Sequence, residues 1–264
     1  MQGRVQTVSN ELLTVGFSVL SQRVNNIKPP QLDIPSKVII SIQDPDDTRT
    51  QLPDSFAYEY FESKNRGVTK SRNVVLDKTK TKYLLFADDE NTFLSEGITS
   101  VINYLEKNPQ CDLVLAQAVD EEGNLRKEYP KNQTKLNRFN CARAATYEMI
   151  VRMDAVKSAH LYFDENFGAG AENYLGDEYI FITDLLTRGR NAVFLPITIA
   201  IHPKDSSGGR WGTEKDLQAR AKVFTRVFEN TAPLVRAAFY LKNYRKTKGM
   251  AGFFQFVRGK FNQL

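Results

Sequence analysis

The sequence predicts an α/β fold, a mixed but mostly parallel sheet flanked by helices, and three observations indicate it. First, the 264-residue chain is 41% hydrophobic and 25% charged, a composition that excludes wholesale disorder, collagen-like repeats and a disulfide scaffold. Second, short apolar runs alternate with longer stretches of helical character. Third, the length suits one large α/β domain, or one such domain with an appended segment.

The first half of the chain predicts alternating strands and helices. A short apolar run at residues 5–8 predicts a strand, and residues 12–24 predict a helix. The β-branched run at residues 37–42 predicts a strand, because it stops at the turn sequence Asp44-Pro45-Asp46-Asp47. The elements expected to follow are a strand at residues 56–61, a helix at 67–78, a strand at 82–87 and a helix at 94–106.

The second half continues the alternation and then becomes helical. The expected elements are a buried strand at residues 112–119, a hairpin-like turn at 120–123, a helix at 174–188 closed by Gly189, and strand structure within 192–201 that leads to His202. From residue 213 onward the pattern is helical throughout. The sequence therefore predicts an α/β domain over residues 1–212 and a basic, aromatic, helical C-terminal segment over residues 213–264.

The net charge of +5 is concentrated at the end of the chain. The last acidic residue is Glu229, and seven lysines and arginines follow it, so residues 1–229 carry a net charge of −2. A slightly acidic body argues against a large nucleic-acid footprint, and we expect no nucleic-acid partner. The excess basicity belongs to the tail.

Aromatic and basic residues interleave in this tail, a pattern typical of helices that lie on anionic membrane surfaces. The alternative is a helix that packs back on the domain with its aromatic residues buried. A third interpretation, a nucleic-acid-binding tail, is motivated by the sequence Tyr240-Leu241-Lys242-Asn243-Tyr244-Arg245-Lys246. The residues that carry the first pattern are Phe253, Phe254, Phe256, Val257, Arg258, Lys260 and Phe261.

Apolar run lengths and cysteine usage predict the compartment. No apolar run approaches the roughly 18 residues of a membrane-spanning helix. Cys111 and Cys141 are the only cysteines, and no Cys/His cluster indicates a zinc site. We expect two buried thiols in a cytoplasmic protein, with peripheral contact to the inner face of a membrane as the further possibility.

Two acidic clusters fall at the carboxyl ends of predicted strands, which is where open α/β sheets bind ligands. Asp44, Asp46 and Asp47 follow one strand, and the triplet Asp88-Asp89-Glu90 follows another. Because adjacent carboxylates repel one another, they favour a bound cation, and Mg²⁺ or Mn²⁺ is held by one or two carboxylates together with substrate phosphates. The alternative is a solvated loop whose acids favour the start of the next helix.

The segment Asn65-Arg66-Gly67-Val68-Thr69-Lys70-Ser71-Arg72-Asn73 precedes the acidic triplet. Gly67 permits a close backbone approach, and Lys70 and Arg72 offer cations to a diphosphate. An ordinary exposed helix start is the alternative. The position shortly before the triplet favours phosphate binding.

A further carboxylate pair, Asp177-Glu178, stands among glycines at the mouth of a predicted helix. Partial burial would raise the pKa of such a carboxylate and suit it to act as a general base. The alternative is helix capping by Asp177, with Glu178 in the first turn.

His202 and Trp211 complete the candidate residues. A histidine at a strand end can ligate a metal or contact a phosphate, and a structural role is the alternative. The Ser/Gly-rich run that follows His202 contains Trp211, the only tryptophan of the chain. This composition is typical of a mobile flap in which the indole covers a ring-shaped ligand.

In this order the segments resemble the inverting family 2 glycosyltransferases with a GT-A fold, a Rossmann-like nucleotide-sugar fold. Those enzymes show an Asn-x-Gly…Ala-Arg-Asn segment, a strand leading to an Asp-x-Asp motif, and a later Gly-x-x-Glu-Asp-type motif. The matching segments, within about residues 36–203, are Asn65-Arg66-Gly67…Ser71-Arg72-Asn73, Asp88-Asp89-Glu90 and Gly176-Asp177-Glu178. Three departures stand out: the third acid of the metal motif is Glu, the later acid pair is reversed, and the opening strand lacks the Pro-Thr-Tyr-Asn signature.

The resemblance implies transfer of a sugar, with inversion, from a nucleoside-diphosphate-sugar donor to a hydroxyl of a glycan or lipid-linked acceptor, in cell-surface glycan or polysaccharide synthesis. It implies Mn²⁺ or Mg²⁺ as cofactor, with Asp88, Glu90 and His202 as metal ligands. Glu178 falls where the family has its catalytic base, and the reversed order leaves Asp177 as the alternative base. The donor-binding residues expected are Asp44, Asp46, Asp47, Gly67, Lys70, Arg72, Asp88 and Trp211.

Three other functions remain as alternatives to a glycosyltransferase. A non-catalytic relative is compatible with the departures from the motifs. A nucleotidyltransferase would also use an α/β nucleotide site, but the chain shows neither a glycine-rich phosphate loop near its N-terminus nor a P-loop. A nucleic-acid-binding module would depend on the tail alone.

Overall fold

The computed structural model describes residues 11–44, 52–204, 212–244, 247 and 250–261 of the chain, and nine strands in this part form one sheet. The strands are β1 (Leu13–Leu20), β2 (Ser36–Gln43), β3 (Glu59–Ser63), β4 (Tyr83–Ala87), β5 (Thr92–Phe93), β6 (Leu113–Val119), β7 (Thr134–Lys135), β8 (Met149–Arg152) and β9 (Ala192–Ile201). Their order is β3-β2-β1-β4-β8-β6-β9-β5, and β7 pairs with β9.

Most neighbouring long strands of this sheet are parallel. Strands β3, β2, β1 and β4 run in one direction, and β6 and β9 are parallel to each other. Strand β8 lies antiparallel between β4 and β6, and the two-residue strands β5 and β7 are antiparallel to β9. The predicted fold class, a mixed and mostly parallel sheet, is confirmed.

Helices cover both faces of the sheet and leave its carboxyl edge open. The helices are α1 (Val68–Lys78), α2 (Ser95–Lys107), α3 (Met153–Ser158), α4 (Asp177–Thr187), α5 (Glu214–Phe228), α6 (Ala232–Lys242) and α7 (Met250–Arg258). Apolar residues of α1, α3, α4 and α5 form one core layer with the sheet. Those of α2 and of the 3-10 helix Ser21–Asn26 belong to the other layer.

The helix predicted at residues 12–24 is wrong: this segment is strand β1 followed by the 3-10 helix. Strand β1 lies between β2 and β4 and is buried along almost its whole length. A strand buried on both faces is apolar throughout, so its sequence carries no alternation to distinguish it from a buried helix. Helix α1 packs closely on it, because a Cβ at Gly16 would lie 2.2 Å from Val75 Cγ1.

The strand predicted at residues 56–61 begins later, as β3 (Glu59–Ser63). The preceding residues fold locally, with the Tyr58 hydroxyl donating to the carbonyl of Pro53 at 2.6 Å and the rings of Phe56 and Tyr58 in contact. The helix predicted from residue 174 begins at Asp177 because Gly176 adopts a left-handed conformation, φ +92°. The other predicted elements between residues 37 and 201 lie within a few residues of the observed ones, and the strand predicted at residues 5–8 lies outside the described residues.

The described part of the C-terminal segment contains helices α5, α6 and α7, as predicted, and packs on the α/β body through α5. Phe228 and Val223 of α5 enter the core layer that α4 also lines. Within the described ranges, no helix is both long and apolar enough to cross a membrane. Cys111 and Cys141 are buried free thiols, as expected.

Candidate functional site

A cavity of about 750 Å³ opens at the carboxyl edge of the sheet. It forms there because the parallel strands end along one edge, and α4 begins opposite them. The acidic, basic and imidazole side chains that line it are Arg23, Arg66, Arg72, Asp88, Asp89, Glu90, Asp177, Glu178 and His202. Six residues singled out in the sequence, from four separate segments, thus meet in one cavity: Arg72, Asp88, Glu90, Asp177, Glu178 and His202.

Arg72 is the cation at the centre of this cluster. It projects from α1, and only 7% of its side chain is exposed. Its Nη1 donates to the Asp177 carboxylate and lies 3.7 Å from Glu178 Oε1, while its Nη2 lies 3.5 Å from Asp88 Oδ1. One buried guanidinium therefore connects the acid that follows β4 with the acid pair that begins α4.

Glu178 is the more accessible acid of the pair. Its side chain is 21% exposed and lines the cavity, and its Oε1 accepts a hydrogen bond from Thr146 Oγ1 at 2.7 Å. Thr146 belongs to the 3-10 helix Thr146–Glu148, which precedes β8. Thr146 therefore holds one oxygen of this carboxylate while the side chain faces the cavity.

Asp177 is the buried acid of the pair, with 6% of its side chain exposed. Burial first and the adjacent Glu178 second raise the pKa of Asp177 to about 7, and Arg72 acts in the opposite direction. Its carboxylate is paired with Arg72, so Asp177 is the less accessible acid of the pair.

Asp88 and His202 lie on the strand side of the cavity. Burial raises the pKa of Asp88, although 31% of its side-chain surface opens into the cavity; Arg72 lowers this pKa and Glu178 raises it. The His202 ring stacks on Tyr147, with centroids 4.6 Å apart, and its Nδ1 lies 2.9 Å from the carbonyl oxygen of Pro203. Since a carbonyl oxygen only accepts, Nδ1 donates this hydrogen bond, which leaves Nε2 as the ring nitrogen available to a ligand.

Arg23 neutralises the rest of the acidic triplet. Its Nε lies 2.8 Å from Asp89 Oδ2, and its Nη2 donates to the Glu90 carboxylate. Asp89 is itself buried and accepts a further, longer contact from Asn26 Nδ2 at 3.4 Å. Among the described residues, no group of three or more His, Cys, Asp and Glu side chains is arranged to hold a metal ion.

The backbone around Gly67 closes one wall of the site. Gly67 N–H donates to Gln43 Oε1 at 2.8 Å, and Val68 N–H donates to the carbonyl of Ala169 at 2.9 Å. Gly67 has φ +139°, and a Cβ on Gly170 would lie 3.1 Å from its Cα. The backbone at Gly67 thus packs closely against the loop before α4, and its predicted contact with a donor stays a prediction.

Two other predicted donor-binding residues, Asp44 and Lys70, lie apart from the cluster. Asp44 is buried and accepts a hydrogen bond from Ser21 Oγ at 2.8 Å. Lys70 lines a neighbouring cavity of about 310 Å³ that shares Gln43 with the first. Asp46, Asp47 and Trp211 lie outside the described residues.

Arg23 and Thr146 are site residues that the sequence did not reveal. Arg23 lies in the segment predicted as a helix, and its sequence context indicates only an exposed basic residue. Thr146 begins a three-residue 3-10 helix whose sequence carries no recognisable motif. Each meets its partner acid only in the folded chain, 67 residues away for Glu90 and 32 for Glu178, so no local signal marks either of them.

Comparison with known proteins gives one family and a set of structures. The sequence pattern described as glycosyl transferase family 2 matches residues 37–167. A comparison with curated protein sequences gave no significant match. The chain is similar to the crystal structure of S. aureus TarS 1-349, with a TM-score of 0.62 and 14% identity over 94% of this chain and 81% of that chain.

Two ligand complexes of the same S. aureus protein are also similar. TarS 1-349 in complex with UDP-GlcNAc has a TM-score of 0.61 and 13% identity, over 94% of this chain and 79% of that chain. The complex with UDP has a TM-score of 0.57 and 14% identity, over 92% and 74%. At these identities the structures show a shared fold. The family match takes in β2, the Arg72 segment and the acidic triplet: residues 37–167 belong to glycosyl transferase family 2, and the chain has the GT-A fold.

Proposed function

We propose that this chain transfers a sugar from a nucleoside-diphosphate-sugar to an acceptor hydroxyl with inversion, and that Glu178 is the general base. The observation that carries the proposal is the position of Glu178: it lines the cavity, is held by Thr146, and shares Arg72 with Asp88 across the site. The UDP-GlcNAc and UDP complexes of TarS support a uridine-diphosphate donor by analogy of fold.

Inversion follows from a single displacement. The acceptor oxygen attacks the anomeric carbon, its proton passes to Glu178, and the bond to the diphosphate breaks on the opposite face of the sugar. One base suffices for this reaction, and Glu178 is the accessible acid of its pair. Asp177, paired with Arg72 below the surface, positions the cluster.

The charge of the cavity supports a divalent cation. Five carboxylates line it against three arginines, a net of two negative charges, and two of those arginines are engaged in ion pairs. A diphosphate donor entering this field alone would be repelled. The donor set fits Mn²⁺ or Mg²⁺, which take one or two carboxylates and complete their shell with water and phosphate oxygens.

Asp88 and the Nε2 of His202 are the residues that would hold the cation. Both residues line the cavity, and 31% of the Asp88 side chain is exposed there. Glu90, the third expected ligand, is paired with Arg23, so it would contribute only after that pair separates. When bound, the cation would neutralise the charge that develops on the leaving diphosphate. The acceptor, expected to be a glycan or a lipid-linked glycan, stays a prediction.

Glu178→Gln and the matched variant Asp177→Asn test the role of the base. We expect Glu178→Gln to lower transfer from UDP-GlcNAc, or from whichever donor of a nucleotide-sugar panel is turned over, by about 100-fold or more, because a proton acceptor is lost. Donor binding, measured by calorimetry with Mn²⁺ present, should stay within about twofold, since the amide preserves the shape of the side chain.

Asp177→Asn should retain more activity than Glu178→Gln if Asp177 only positions Arg72. The reverse order of activities would move the base to Asp177. Loss of donor binding in Glu178→Gln would overturn the assignment of Glu178 as the base, and no binding or turnover of any donor by the wild-type chain would indicate a non-catalytic relative.

A further inference from the structure

Helices α6 and α7 form an antiparallel hairpin whose inner face packs together and against α5. Arg236 donates from Nε to the carbonyl of Val257 at 3.0 Å, near the end of α7, while the Tyr240 ring contacts Phe253 near its beginning. Tyr240 and Phe256 are completely buried and pack with α5 in a separate aromatic cluster. Packing of the tail on the domain therefore accounts for this inner set of aromatic residues.

The outer face of the hairpin is apolar and exposed. Leu234 and Leu241 are 75% and 61% exposed. They lie seven residues apart, two helical turns, so they share one stripe of α6, opposite Arg236 and Tyr240. On α7, Phe254 is 57% exposed, whereas Phe256 is buried. Four of the eight large hydrophobic side chains exposed in the described part of the chain belong to this hairpin or its connection, the fourth being Tyr244 at 46%.

Exposed positive charge accompanies this apolar face. Lys242, Arg258 and Lys260 are exposed, and no acidic residue follows Glu229 in the sequence. Arg258 stands one turn after Phe254 on α7, so an apolar and a basic side chain share the same stripe. Apolar and basic groups together are what an anionic lipid surface attracts, the first entering the acyl boundary and the second meeting the headgroups.

We propose that the outer face of the α6–α7 hairpin docks the protein on an anionic lipid bilayer. The positive charge favours a lipid surface over a second copy of the chain, because a two-fold contact through this face would bring the same basic side chains together and they would repel one another. The exposed leucines favour a lipid bilayer over a nucleic acid, because nucleic acids bind through phosphates and stacked bases rather than through aliphatic side chains. The proposal is independent of the chemistry assigned to the cavity.

Co-sedimentation with vesicles tests the proposal on the full-length chain. The vesicles are phosphatidylcholine alone and phosphatidylcholine mixed with phosphatidylglycerol. The test variant is Leu234→Gln/Leu241→Gln, and the control is Leu125→Gln, a leucine that is 52% exposed outside the tail. Because all three leucines are exposed, we expect the variants to fold, and circular dichroism checks this.

The wild type and Leu125→Gln should sediment with the anionic vesicles and stay in solution with the neutral ones. The double variant should bind the anionic vesicles about tenfold more weakly or worse. The proposal would be overturned if the double variant sedimented as well as the wild type, or if the wild type sedimented with neither kind of vesicle. It would also be overturned by a concentration-dependent dimer that the double variant abolishes, or by binding of a single-stranded RNA oligonucleotide that outcompetes the vesicles and is unaffected by the leucine substitutions.

Discussion

Replacing Arg72 with methionine isolates the contribution of the buried cation that joins the two halves of the site. Methionine keeps an unbranched apolar stem beside Phe163, which the guanidinium contacts at 5.6 Å from the ring centroid, but it removes the charge. Asp177 is then left buried without its partner, while Asp88 and Glu178 retain some access to the cavity. Breaking a buried pair by removing one member destabilises a protein by about 3–5 kcal/mol.

The expected loss is therefore about 3–5 kcal/mol in the free energy of unfolding near neutral pH, with Asp177 the main contributor. In a chain of this size it corresponds to a fall of roughly 6–20 °C in the melting temperature. Arg226→Met is the matched control, because Arg226 also pairs with two carboxylates, of Asp164 and Asp184, but is 37% exposed. Screening by solvent limits its expected loss to about 1 kcal/mol or less.

The loss of folding stability caused by Arg72→Met should be smaller at acidic pH than at neutral pH. Arg72 lowers the pKa of Asp177 and of Asp88, so its removal raises both values further above those of the unfolded chain. A carboxyl with a raised folded-state pKa stabilises the fold below its unfolded pKa, and this stabilisation is lost as the pH rises through the folded pKa. As the pH rises from about 5 to about 8, the free energy of unfolding should therefore fall more in the variant than in the wild type.

The assay is thermal and urea denaturation followed by circular dichroism at the two pH values, with the double variant Arg72→Met/Asp177→Asn alongside. Because Asn carries no charge, the double variant should recover most of the lost stability and most of the pH dependence. A loss no greater than that of Arg226→Met, or no recovery on adding Asp177→Asn, would refute the idea that Arg72 compensates a buried carboxylate.

Two further changes test the close packing of Gly176 and the ion pair between Arg23 and Glu90. Gly176→Ala should destabilise the fold by about 2–4 kcal/mol, because φ is +92° and the new Cβ would lie 2.5 Å from Val223 Cγ2. Gly123→Ala, with φ +85° and open space around it, should lose only about 1 kcal/mol in the same urea titrations, and equal losses would exclude the packing contribution. Arg23→Gln should tighten Mn²⁺ binding severalfold in calorimetry, because Glu90 is released from its ion pair. If Arg66→Gln, a cavity-lining arginine outside that pair, tightens Mn²⁺ binding equally, the cause is overall charge rather than the release of Glu90.

The sequence predicted the order and type of most elements because each pattern is local. The amphipathic helix α2 and the β-branched strand β2 could each be predicted from their own residues. Strand β1 did not, because burial on both faces removes the alternation that identifies a strand. Its correct assignment depends on the neighbours β2 and β4, which lie 23 and 70 residues further along the chain in register.

The chemistry of the site divides in the same way. Carboxylates at strand ends could be located in the sequence, because a sheet of mostly parallel strands brings those ends to one edge. The roles of adjacent acids could not be separated, because Asp177 and Glu178 differ by burial and by partner rather than by motif.

By itself, the sequence determined the fold class, the concentration of acids at the carboxyl edge and the placement of excess basic charge in the tail. All three follow from composition and local pattern. Only the tertiary structure decided that Arg72 pairs with an acid 105 residues away, that Arg23 holds Glu90, and that the tail buries one aromatic face while exposing another apolar one. Those facts depend on which side chains exclude water from each other, and that is settled by packing between segments distant in the chain.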